Sequence, residues 1–74
     1  MNKMPKKQLV DLAVSYRHRT SMAVLVNDGH KEVWIPRSLA EFDPDPFSEG
    51  GPAFLDGVMT VTVPEWFAKK EGLI

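Results

Sequence analysis

The chain of 74 residues is 43% hydrophobic and 26% charged, with a formal net charge of -1, a balance that suits one small folded domain and excludes a long disordered tract. It has no cysteine, which excludes a disulfide framework or cysteine-ligated zinc and makes a reducing compartment the simplest setting. The longest apolar run, Met22 to Val26, falls far short of the roughly 20 residues of a spanning helix, so the expectation is a cytoplasmic protein without a membrane anchor, monomeric or a small homo-oligomer.

Residues 1–7 are basic (Lys3, Lys6, Lys7) and lack the apolar stretch of a signal peptide; a frayed terminus is expected there. From Leu9 to Tyr16, Val10, Leu12, Val14 and Tyr16 alternate with Asp11, Ala13 and Ser15. That period of two, with its β-branched and aromatic content, predicts a half-buried strand, and the helical spacing of Leu9, Leu12, Ala13 and Tyr16 is the rival reading. Arg17 to Thr20 reads as a polar interruption before a second strand over 22–26.

Asp28-Gly29 between apolar runs predicts a two-residue hairpin turn, since such turns need the positive φ that Gly tolerates. That register sets Val24 opposite Val33, Met22 opposite Ile35, and Ala23 opposite Trp34. A three-residue loop, His18 to Thr20, would then bring Tyr16 beside Met22 and Val14 beside Val24. Pro36 cannot donate to a ladder and ends the third strand.

Ser38 and Glu41 have capping-box spacing, which predicts a short helical turn over 38–42 that Asp43-Pro44-Asp45-Pro46 terminates. Residues 43–57 read as an acidic Pro/Gly loop, and Val58 to Val63 as a fourth strand with Met59, Val61 and Val63 inward. Thr62 and Glu65 again have capping-box spacing, Pro64 suits a first helical turn, and Gly72 suits a left-handed cap with Leu73 folded back on Phe67 or Ala68.

The expected fold is therefore one small α+β domain over 1–74, with an antiparallel sheet of three or four strands and a C-terminal helix at 64–71 packed on it. One sheet face should hold Leu12, Val14, Met22, Val24, Val33, Ile35, Val61 and Val63. Trp66 and Phe67 point about 100° apart on a helix, so one anchors it and the other lies at its margin. Trp66, if buried, would be worth roughly 3–5 kcal/mol.

Two pieces, VNDGHKEVWIPRS (26–38) and VTVPEWFAKKEGLI (61–74), resemble those of a set of small phage and prophage proteins, in the same order and separated by a variable acidic loop. Those proteins typically end in Pro-Glu-Trp, an apolar residue, Ala, charges and Lys-Gly-Leu-Ile; Glu71 stands here where Lys is usual, and the loop is longer. The family carries no assigned reaction. The resemblance implies an accessory factor that binds host machinery, a CRISPR–Cas effector among the candidates, or one that handles nucleic acid.

The residues themselves offer little for catalysis. His18 and His30 sit on separate turns outside any hydrolase or metalloprotease motif, no catalytic residue or cofactor is expected, and Asp43, Asp45 and Glu49 fail the calcium-loop template. Gly50-Gly51-Pro52 opens no phosphate-binding helix. Charge is more informative. Residues 1–37 carry seven Lys/Arg against three Asp/Glu, whereas 38–74 carry two against seven, giving +4 and -5.

A protein-binding surface is accordingly expected at Glu41, Phe42, Asp43, Asp45, Phe47 and Glu49, where carboxylates steer toward a basic host protein or nucleoprotein surface and the aromatics supply contact. The alternative is nucleic-acid binding through Arg17, Arg19, Lys31 and a base-stacking Trp34, against which the sequence pI of about 6.0 counts.

Overall fold

A computed structural model describes residues 8–47 and 57–74. Its elements are β1 (Leu9–Arg19), β2 (Ala23–Asn27), β3 (Glu32–Pro36), a 3₁₀ turn (Arg37–Leu39), β4 (Glu41–Asp43), β5 (Val58–Pro64) and α1 (Glu65–Lys70). The strands form one antiparallel sheet in the order β3-β2-β1-β5-β4. The α+β class and the C-terminal helix agree with expectation; the sheet has five strands where three or four were expected.

Alternation sets the core. Val14 of β1, Val24 and Val26 of β2, Val33 and Ile35 of β3, and Met59, Val61 and Val63 of β5 all turn to one face and are buried with Phe67 and Ala68 of α1. Leu12 is half-buried against this cluster. Met22 is not part of it: the side chain is 70% exposed.

The reason is register. The β2–β3 connection is not the two-residue Asp28-Gly29 turn but the four residues Asp28 to Lys31, because Asp28 Oδ1 accepts the amides of His30 (2.7 Å) and Lys31 (2.9 Å) and Asn27 Oδ1 accepts that of Gly29 (2.7 Å). These side-chain bonds compete with the tight turn. Val24 therefore pairs with Ile35, Val26 with Val33, and Leu25, not Ala23, with Trp34. The displacement is two residues, an even number, so the buried face is preserved and only the partners change.

The Arg17 to Thr20 interruption is also corrected, since β1 continues to Arg19. Tyr16 pairs with Val26, whereas His18 pairs with Leu25 and Arg19 with Val24; the register jumps by one at Arg17. This β-bulge leaves one residue without an opposite number and bends the strand. The connection is Thr20 to Met22, held by the Thr20 Oγ1 that accepts the amides of Met22 and Ala23 (both 3.1 Å).

Strands β3 and β4 lie at opposite edges, yet only residues 37–40 link them. A flat sheet would separate those edges by about 19 Å, whereas a link containing a 3₁₀ turn reaches only roughly 15 Å. The sheet must coil, and the valine core fills the inside of the coil. No helix forms at 38–42. The Ser38 capping box is absent, Pro36 precedes the 3₁₀ turn without a side-chain cap, and Phe42 alternates inward beside Val61 as the centre of β4.

At the other end β5 runs on to Pro64, so Thr62 is a strand residue whose Oγ1 donates to Asp11 Oδ1 (2.6 Å), not a helix cap. The first amide of α1, at Glu65, donates instead to the Gln8 carbonyl (2.8 Å). The C-terminal cap forms as expected. Gly72 has φ 73, Leu73 N–H bonds the Ala68 carbonyl (2.7 Å), Gly72 N–H bonds that of Lys69 (3.1 Å), and Leu73 packs on the core.

Of the two aromatics, Phe67 is the anchor and Trp66 the margin, 56% exposed and edge-on to the Phe67 ring. Phe67→Ala should lower unfolding free energy by roughly 3–5 kcal/mol, and Trp66→Ala by under about 1 kcal/mol. Denaturant unfolding of the two variants checks this, and the reverse order would contradict the anchoring role of Phe67.

Candidate protein-binding face

Pairing of β1, β5 and β4 builds an outer face from residues far apart in the chain. Asp11, Thr62 and Glu41 lie side by side across the three strands, and Ala13, Thr60 and Asp43 form the next row. Alternation turns these side chains away from the core, because their neighbours Leu12, Val61 and Phe42 face it. Glu41 and Asp43 are about 7 Å apart along β4, and Asp11 and Glu41 about 10 Å apart across the sheet. Where the three strands pair, over Leu9–Ser15, Val58–Pro64 and Glu41–Asp43, no outer position is basic.

Apolar side chains close the two ends of the face. Leu9 is 62% exposed beyond Asp11, and Val58 is 68% exposed at the start of β5. Beside Leu9 a shallow pocket of about 220 Å³ is lined by Leu9, Ser38, Leu39, Ala40, Glu41 and Thr62. Its shape suits the stem of a long side chain against the two leucines, with the cationic head on the Glu41 carboxylate.

The expected protein-binding set is only partly brought together. Glu41, Asp43 and Asp45 are exposed in one neighbourhood, and Glu49 lies outside the described residues, as do most of the acidic loop and the basic 1–7 segment. Phe42 and Phe47 are not exposed contacts: both are half-buried against the core, edge to face with centroids 5.9 Å apart. Phe47 is further covered by the guanidinium groups of Arg37 (4.2 Å from the ring centroid) and Arg19 (5.4 Å). An open groove of about 350 Å³ runs past Arg37, Glu41 and Asp45 alongside this cluster.

Asp11, Thr60, Thr62 and Leu9 join this face only because β1 lies beside β5, a pairing that local pattern does not report. The outward alternation of Thr60 and Thr62 was the available signal.

Of the residues of the nucleic-acid alternative, Arg17 and Trp34 share the outer face of β1 and β3, and Arg19 and Lys31 lie elsewhere. Arg19 faces Phe47, Arg17 pairs with Glu32 (3.5 Å), and Lys31 pairs with Asp28 Oδ2 (3.3 Å) while its Nζ donates to the Gly72 carbonyl (3.1 Å). Trp34 is 47% exposed on the outer face beside His18, ring centroids 6.3 Å apart. Among the described residues no helix is long and apolar enough to cross a membrane, and no group of three His, Cys, Asp or Glu is placed to hold a metal ion. No family model, curated protein or solved structure matches this chain.

The Lys31 amide, then that of His30, holds the Asp28 carboxyl down from 3.8 to about 2. A folded-state pKa below the unfolded value stabilises at neutral pH, and that contribution fades as pH falls from about 4 toward about 2. Asp28→Asn should therefore unfold more easily than the parent chain at pH 7, with the difference shrinking steadily across that window. Thermal unfolding at a series of pH values checks this, and a difference that stayed constant would contradict the turn geometry.

Proposed function

We propose that the chain is a non-enzymatic accessory protein of the phage type it resembles, and that it binds a basic surface of a host protein complex through the outer face of β1, β5 and β4. The observation that carries this is the placement of Asp11, Glu41 and Asp43 across three adjacent strands with no basic residue among the positions between them.

Like charges arranged on a rigid sheet create a directed field that speeds encounter with a cationic partner, and the pocket beside Leu9 gives the contact an apolar anchor at one end. A surface that normally holds nucleic acid has the matching chemistry, so an acidic face can occupy it in place of phosphates. Inhibition of a CRISPR–Cas effector is the sharpest form of this proposal. Direct binding of nucleic acid has less support, because Arg17 alone of the three cations shares the outer face with Trp34 and there carries Glu32 beside it, whereas Arg19 turns inward over Phe47 and Lys31 sits at the β2–β3 turn.

Affinity capture from a nuclease-treated bacterial lysate, repeated with an Asp11→Asn, Glu41→Gln, Asp43→Asn triple variant, tests the proposal. The expected result is one defined complex that survives nuclease, weakens with added salt and is lost in the triple variant. A diffuse, nuclease-sensitive recovery, or a complex that the triple variant retains, would refute it.

A further inference from the structure

The outer edge of β3 has a defined hydrogen-bonding pattern. Antiparallel ladders alternate between residue pairs that exchange bonds and pairs that do not. Two bonds beyond the ends of the strands fix the phase: Asp28 N–H to the Lys31 carbonyl (3.0 Å) and Arg37 N–H to the Met22 carbonyl (2.7 Å). With the pairing Val26–Val33 and Val24–Ile35, residues 33 and 35 direct their main-chain groups at β2. Glu32, Trp34 and Pro36 direct theirs to the opposite side, where no strand among the described residues pairs with β3.

The two edges of the sheet are protected very differently. β4 has three residues, two of them carboxylates, and Pro44 follows at once; brevity, charge and proline are what discourage strand addition. β3 has five residues with Val33, Trp34 and Ile35 at its centre and a proline only at its last position. Trp34 stands beside its own outward amide and carbonyl, supported by His18 at its edge and by Leu25 opposite.

We infer that β3 is a strand-addition site, which takes an extended segment of a partner protein with an apolar residue opposite Trp34 and carboxylates opposite Lys31 and Arg37. Main-chain groups in a row accept only an extended backbone. The charges choose between partners. In an antiparallel self-pairing centred on Trp34, Lys31 of one copy would stand opposite Arg37 of the other, twice, and like charges directly opposite are unfavourable. A foreign strand with acids at those two positions meets both cations, which stay open to solvent although Lys31 also holds Asp28 and Gly72 and Arg37 also covers Phe47. This site is on the other side of β1 from the acidic face, and it stands whether or not that face binds a basic surface.

The test uses the full chain and a seven-residue peptide with tryptophan at its centre, valine and threonine beside it and aspartate at both ends. Residue-resolved amide exchange should slow by about tenfold or more at Glu32 and Trp34 when the peptide is bound, with Val33 and Ile35 unchanged. Trp34→Ala should weaken peptide binding roughly two- to tenfold, and a peptide with lysine at both ends should bind more weakly than the aspartate peptide. The inference is overturned if the Glu32 and Trp34 amides do not respond. It is equally overturned if they are already slow in the free protein, through this chain's own cover or, with a dependence on its concentration, through a second copy.

Discussion

One residue too many in β1 governs much of this structure. Arg17 has no counterpart on β2, so the alternation of β1 reverses as it passes that point. Before it, Val10, Leu12, Val14 and Tyr16 face the core beside β5; after it, Arg19 takes the inner side and His18 the outer. Without the bulge, Arg19 would lose its place over Phe47 and His18 its place against Trp34. A bulge also bends its strand and increases local twist. That bend belongs to the coiling that lets the short 37–40 link join the two edges of the sheet.

The same strand separates two surfaces of different chemistry. The N-terminal half of β1 contributes Leu9 and Asp11 to an outer face that is acidic and apolar at its ends. The C-terminal half contributes Arg17 and His18 to one that is aromatic, ends in a hydrogen-bonding edge, and carries the Arg17–Glu32 pair. The first presents charge, which acts at a distance and answers to salt; the second presents directional main-chain groups, which act only on contact. A domain this small can present two such faces because a single sheet, coiled on its valines, leaves most of its outer positions free for chemistry.

Local pattern made four of the five strands and the final helix legible. Alternation identified β2, β5 and most of the core, and Gly72 with Leu73 identified the Schellman cap, because each depends on residues close in sequence. What failed depended on competition or on distance. Asn27 and Asp28 were read for their tolerance of a tight turn, and it was their side-chain acceptors that widened it. Arg17, His18 and Arg19 look like a break because a bulge hides the period of two. Ser38 and Glu41 have the spacing of a cap, yet tertiary pairing with β5 extends the chain there. Of the acidic site, Glu41, Asp43 and Asp45 could be named from composition, whereas Asp11 joins them only through the β1–β5 pairing, which local pattern does not encode.

The most direct test of this account is the cross-strand pairing of β1 with β2, measured by NMR as long-range contacts between backbone protons. The account predicts contacts of Tyr16 with Val26, His18 with Leu25 and Arg19 with Val24, and none that place Arg17 opposite a β2 residue. Contacts of Tyr16 with Met22 and of Val14 with Val24 would instead describe an unbulged hairpin. They would remove the reversal at Arg17 that sets His18 against Trp34 and Arg19 over Phe47.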